Sequence, residues 1–291
     1  MSDKAKALIA VLIVAVLGGA NSPYVKLAVS SIPPFSYTFI RFFFSFLIIL
    51  PIFLSTKPKL EKDNLRLIWF SLFSTFNIIL FAFGIKMTTA ATGQVIQSFS
   101  PVVVVIISFY LLKEKLTFKK VLGIIIGFIG ANLVISLPLF NHGLTKQAVI
   151  GNLLIFVGVI SFSYYNVLSK NFLKKYSPLW LTVAFIFTTM LVSLLFSFRE
   201  VSLIKYWGSN LSLTLVWALF YVVLIGTVTV YFLQQYAILY GSPLIASLIL
   251  YLAPGTTMIW SNIILGEGFS LILIVGTIIT LFGAWLVTKE S

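Results

Sequence analysis

Residues 91–117 read A-T-G-Q-V-I-Q-S-F-S-P-V-V-V-V-I-I-S-F-Y-L-L-K-E-K-L-T, and this stretch decides how the chain is built. Its apolar run is long enough for a membrane helix, and its polar residues gather on one side. Gln94, Gln97, Ser98, Pro101 and Ser108 fall at spacings of three, four and seven, which stack side chains along one helical face. A shift of 153 positions brings the face back as Ser247, Tyr251, Pro254 and Ser261, with Glu267 answering Glu114 and Ser270 answering Thr117. A proline within a helix removes a backbone donor and frees a carbonyl, so Pro101 and Pro254 are expected as matched hinges near the membrane midplane. Two such helices predict a polar path.

Composition agrees with a membrane location. The 291 residues are 60% apolar and 9% charged, with a mean hydropathy of +1.10, values incompatible with an ordinary solvated surface. Ten apolar runs approach the roughly 20 residues needed to cross a hydrocarbon core, over residues 5–29, 34–55, 64–86, 90–112, 117–137, 149–173, 177–198, 211–237, 242–266 and 270–288. They are too long and too unalternating for barrel strands. The expected fold is therefore an all-α integral membrane bundle of ten transmembrane helices. Residues 1–19 imitate a signal peptide, but the apolar run continues past them and Asn21-Ser22-Pro23 is a poor cleavage site, which predicts a retained first helix.

A net charge of +13 is explained by topology better than by nucleic acid, which is not an expected partner. With the N-terminus inside, fourteen Lys and Arg fall on the cytoplasmic side and five (Lys26, Lys86, Lys146, Arg199, Lys205) on the other, with Arg41 inside a helix. Both termini are thus expected in the cytoplasm, and the protein in the cell membrane with the lipid bilayer as its surroundings. The absence of cysteine removes disulfides and thiolate metal sites.

The repeat runs through most of the chain. At the offset of 153, Gly123 pairs with Gly276, Gly130 with Gly283 and Ala131 with Ala284; nearer the start of each half an offset of 144 pairs Lys26 with Lys170 and Pro34 with Pro178. Two units follow, residues 1–140 and 148–291, each with five helices. An odd number makes the second copy enter the membrane in the opposite direction, the inverted-repeat plan of secondary transporters, whose substrate sites lie near the midplane between the halves.

The residues N-S-P-Y-V-K (21–26), P-P-F-S-Y-T-F-I-R-F (33–42), and the two blocks beginning S-P-V at 100 and A-P-G at 253 together resemble the ten-helix EamA branch of the drug/metabolite transporter superfamily. The resemblance covers nearly the whole chain. It implies efflux or exchange of a small metabolite, an amino acid or related compound, by alternating access. Arg41 has Phe185 as its counterpart, so any anion-holding role belongs to the first half.

The candidate substrate contacts are Gln94, Gln97, Ser98, Ser247 and Tyr251, since unpaired amides and hydroxyls in lipid should face protein or a cavity. Interhelical hydrogen bonding would also explain them. Asn21, Ser22, Asn77, Tyr165, Asn166, Tyr231 and Gln234 form a second tier. Arg41 carries two readings: a bidentate clamp for a substrate anion, or snorkelling to the outer interface. Lys26 reads as snorkelling. Glu114 and Glu267 stand before the N-caps Thr117 and Ser270, as helix-end partners, gate contacts or solvated surface. The glycines of helix five (Gly123, Gly127, Gly130) and helix ten (Gly276, Gly283) permit close backbone approach, sealing either the bundle or a homodimer. His142 alone is weak evidence for a proton switch.

Several chemistries are absent. No G-x-x-x-x-G-K-[ST], H-E-x-x-H or G-x-S-x-G is present, so no ATPase, metalloprotease or serine hydrolase activity is expected. No cofactor is expected either. All seven acids lie at helix ends or in loops, which predicts a facilitator or exchanger rather than a strongly proton-coupled pump. A channel-like pore or a non-transporting scaffold remains the alternative.

Overall fold

In the computed structural model the described residues are 3–58, 65–113, 117–135, 146–203, 212–247 and 249–288, and no strand occurs among them. Glu114 and His142 therefore lie outside the described residues. The helices are α1 (Asp3–Gly18), α2 (Asn21–Ser31), α3 (Pro34–Ser55), α4 (Leu65–Met87), α5 (Ala90–Gln97), α6 (Ser100–Leu112), α7 (Phe118–Ile135), α8 (Lys146–Phe172), α9 (Pro178–Ser197), α10 (Leu213–Val223), α11 (Val230–Tyr240), α12 (Pro243–Ser247), α13 (Ile249–Leu265) and α14 (Leu271–Thr288). Six helical stretches among the described residues are long and apolar enough to cross a membrane, and shorter apolar helices lie at Ala5–Ala15 and Leu271–Gly283.

Local chemistry sets the helix starts. Pro34 and Pro178 each open a helix, where a missing N–H costs nothing. Thr89 accepts from Thr92 N at 3.1 Å and its repeat counterpart Ser242 from Ile245 N at 3.1 Å. Thr117 and Ser270 cap α7 and α14 as the spacing predicts, accepting from Lys120 N and Leu273 N.

Three expected continuous helices are interrupted. The first stops at Gly18 and restarts at Asn21. The break exposes carbonyls, and side chains of the second half take them: Thr257 Oγ1 donates to Gly19 O at 2.7 Å, and Tyr221 OH donates to Leu17 O. The helix over 90–112 breaks at Ser98–Phe99, so Pro101 does not kink a helix interior. It stands in the first turn of α6, two residues beyond the break. Pro254 does lie inside a helix, α13, so the two prolines are not equivalent hinges. Between α10 and α11, residues Leu224–Thr229 form a π-helical segment, a widened turn that periodicity cannot reveal.

The two halves pack in exchange-related pairs. Counterparts meet each other directly, α3 against α9 and α7 against α14, while α5 against α13 is mirrored by α12 against α6. Other contacts come in twos, with α4 against α8 mirrored by α11 against α1, and α6 against α8 mirrored by α13 against α1. The glycine rows form the α7–α14 contact: a Cβ on Gly283 would lie 2.3 Å from Gly127 N and 2.7 Å from Gly123 O, and one on Gly130 2.5 Å from Thr280 N. The glycines therefore seal the bundle.

This contact yields a paired test. In Gly283→Ala the new methyl meets backbone that cannot swing aside, so thermal unfolding in detergent should show a loss of about 1–3 kcal/mol. Gly255 has open space within 4 Å, so Gly255→Ala should be neutral or stabilise by about 0.5–1 kcal/mol.

Candidate functional site

A cavity of about 110 Å³ lies between the halves. Breaks and bends deliver its polar lining. Gly18, Asn21 and Ser22 come from the α1–α2 break, Gln94 and Gln97 from the end of α5, and Gly226 from the π segment; Arg41, Asn77, Tyr231 and Gln234 come from α3, α4 and α11. Val14, Ile78, Phe81, Phe162, Val230, Ala246 and Ala253 complete the wall. Eight of the sequence candidates thus share one cavity: Asn21, Ser22, Arg41, Asn77, Gln94, Gln97, Tyr231 and Gln234.

Other candidates lie behind it. Ser98 is buried and its hydroxyl turns back to Val95 O at 2.6 Å. Tyr165 is buried and stacks on Phe70 with ring centroids 4.4 Å apart. Asn166 does not line the cavity, but its Oδ1 accepts from Gln234 Nε2 at 2.9 Å and orients that amide. The side chains of Ser247 and Tyr251 lie outside the described residues.

Arg41 dominates the electrostatics. It is 2% exposed, which overturns the snorkelling reading: the side chain points inward, not along the helix to the interface. Its Nε donates to Thr227 Oγ1 at 2.6 Å, Nη2 to Gly226 O at 2.9 Å and Nη1 to Tyr37 OH at 3.3 Å. Every partner is neutral. The π segment explains why they are available, because its displaced ladder frees Gly226 O while Thr227 Oγ1 bonds back to Val222 O at 2.7 Å. Gly226, Thr227 and Tyr37 were missed in the sequence, where nothing marks a π turn. An arginine at a helix centre costs about 2.5–3.5 kcal/mol on insertion scales, and hydrogen bonds to a charged group return about 1.5–3 kcal/mol each.

Around this cation some polar atoms lack partners. Asn21 Oδ1 and Asn77 Nδ2 are buried without a hydrogen bond among the described residues. Ser22 Oγ donates to Gln94 Oε1 at 2.7 Å, joining the first break to the second.

Charged side chains outside the cavity lining hold helix ends. Lys26 Nζ donates to Ile85 O at 2.8 Å, Lys86 O at 3.2 Å and Thr88 O, where α4 ends. Lys170 Nζ donates to Ile238 O at 2.9 Å, Leu239 O at 3.3 Å and Gly241 O at 2.7 Å, where α11 ends. The two lysines are 144 apart and each acceptor pair 153 apart, so the repeat preserves a cation on a helix C-terminus, where the dipole favours it. Lys26 is thus a helix clamp, not a snorkelling side chain. Glu267 takes the next helix from its other end, accepting from Ala90 N at 2.8 Å and Ala91 N at 3.2 Å. Glu200, unremarked in the sequence, does the same for α3 through Phe35 N at 3.2 Å and Ser36 N at 2.7 Å.

An all-helical duplicated bundle enclosing a polar cavity between its halves defines a multi-pass membrane transporter. Comparison with known proteins gives the family: residues 5–136 and 149–289 each match the EamA-like transporter family, and the chain belongs to it. YyaM of Bacillus subtilis (strain 168), an uncharacterized transporter, is 30% identical over 203 residues, which is 66% of this chain and 67% of that protein. An S-adenosylmethionine uptake transporter of Rickettsia felis is 26% identical over 182 residues, 62% of this chain and 60% of its own. A solved crystal structure aligns over 98% of this chain and 96% of its own with a TM-score of 0.69; at 16% identity the likeness is of fold alone.

Gly226 tests the geometry. A Cβ there would come 2.0 Å from Asn21 Oδ1 and 3.6 Å from Arg41 Nη2, so Gly226→Ala should weaken solute binding by about 1–3 kcal/mol through displacement of the Asn21 amide. Lys26→Met and Lys170→Met should each lower unfolding stability by about 1 kcal/mol, since partly buried carbonyls at a helix end lose their cation.

Proposed function

We propose that this protein is a secondary transporter that moves a small polar metabolite across the cell membrane by alternating access. In this reading the chain crosses the membrane ten times as two inverted five-helix repeats with both termini in the cytoplasm. The observation that carries it is the cavity itself: it lies where broken or widened helices of both halves meet, the arrangement in which inverted-repeat carriers hold substrate. The exchange-related packing of the halves supports the inversion. A twofold relation lets one conformation open outward and its counterpart inward, with the same contacts swapped between repeats.

The lysine clamps fit that cycle. Lys26 fastens α2 to the end of α4, and Lys170 fastens α8 to the end of α11, at what the proposed topology makes opposite membrane faces. Releasing one clamp while the other holds opens one face at a time.

The cargo is of amino-acid size or a related polar compound, because a cavity of about 110 Å³ is somewhat smaller than the roughly 150 Å³ cavity that takes up benzene. The family resemblance supports efflux or exchange. The relative named for uptake is a reminder that a reversible carrier runs in whichever direction its gradients drive it. The alternative, a channel-like facilitator, would carry solute without exchange.

Counterflow in proteoliposomes decides between them. Cells with and without the overexpressed protein are compared by untargeted metabolite analysis, and each solute that differs is loaded inside vesicles. A carrier accumulates labelled solute transiently against its gradient and saturates. A pore shows only equilibration, and a protein with no transport role shows neither.

A further inference from the structure

We infer that the solute held in this cavity carries one net negative charge, with a carboxylate seated on Arg41. The inference rests on the transporter reading for its biological meaning and on the cavity alone for its chemistry.

Charge comes first. Arg41 is the one charged side chain lining the cavity among the described residues, and its hydrogen-bond partners are a hydroxyl, a phenol and a backbone carbonyl. The described acids are occupied elsewhere: Asp3 pairs with Lys6 at 2.7 Å, while Glu200 and Glu267 cap helices. A buried cation without a counter-charge is costly, and a bound anion supplies what the fold omits.

Donor counting gives the second argument. A guanidinium has five N–H groups, and three are used. Two remain; Arg41 Nη2 and the unpartnered acceptor Asn21 Oδ1 both lie within 4 Å of the position a Cβ on Gly226 would take, in a cavity that also holds the unpartnered donor Asn77 Nδ2. Paired N–H groups suit the two oxygens of a carboxylate, and the two amide atoms, one acceptor and one donor, suit a hydroxyl group beside it.

Charge matching narrows the class. One lining cation balances one negative charge, whereas a phosphate monoester brings close to two at neutral pH. A zwitterionic amino acid would neutralise Arg41 but set its ammonium among amides and aromatic rings with no carboxylate to meet it. A small 2-hydroxy monocarboxylate satisfies the whole set, because its hydroxyl can donate to Asn21 Oδ1 and accept from Asn77 Nδ2. This departs from the amino acid that the family resemblance suggests.

Three probes with the same three-carbon skeleton and the same number of heavy atoms separate the cases: lactate is a monoanion, lactamide is neutral and alanine is a zwitterion. Binding to the purified full chain is read as thermal stabilisation in detergent at millimolar probe, in chloride-free buffer, and transport as counterflow. Lactate should bind at least about tenfold more tightly than either analogue. Arg41→Gln should abolish that preference. Asn21→Asp, a near-isosteric change that places a carboxylate beside the guanidinium, should abolish lactate binding even if Arg41→Gln fails to fold. Equal binding of lactamide or alanine, no binding of lactate, retention of the preference in Asn21→Asp, or chloride stabilising as well as lactate would each overturn the inference. Failure of the transporter reading looks different: lactate then binds selectively but gives no counterflow.

Discussion

A single arginine sets the terms for the centre of this protein. Arg41 is buried in a helix of a membrane bundle and meets no carboxylate among the described residues, so its charge must be held by dipoles. The structure provides them by deforming a neighbouring helix. The π segment 224–229 turns Gly226 O and Thr227 Oγ1 toward the guanidinium, and the absence of a side chain at Gly226 leaves room for Asn21 at the break in the first helix. Removing any one of these features would strand the others: a regular helix would keep its carbonyls, and an unbroken first helix would carry Asn21 past the site.

The same logic recurs at the helix ends. Lys26 and Lys170 each place an ammonium on the carbonyl end of a helix, and Glu267 and Glu200 each place a carboxylate on an amide end. In a low-dielectric setting such charge–dipole contacts are strong enough to matter and few enough to be released. Packing divides the labour differently. The α7–α14 seam is a close glycine contact suited to a rigid joint, while the broken and widened helices carry much of the polar lining, which Arg41 and Asn77 of the continuous α3 and α4 complete.

Much of this was legible in the sequence. Helix spans followed from apolar run length, and the offset of 153 led to the glycine seam and the paired caps at Thr117 and Ser270. Eight polar candidates converge because residues costly to expose to lipid have few other places to go. The rest depended on geometry that no pattern encodes. Ser98 lies on the right face but satisfies its own helix; the prolines occupy matched positions yet different helical contexts; and the π turn leaves no compositional trace. Lys26 and Lys170 were matched by offset, but their shared work appeared only when their acceptors proved to be matched as well. Arg41 shows the limit plainly, since clamp and snorkel predict the same sequence and differ only in where the side chain points.

The central claim is that the cavity around Arg41 is reached alternately from the two membrane faces. The chain contains no cysteine, so Asn77→Cys places a single thiol in the cavity wall. In sealed vesicles of known orientation, a membrane-impermeant thiol reagent applied to either face is predicted to label this cysteine, and a transported solute is predicted to slow both reactions. Labelling from one face only, or from neither, would contradict the account.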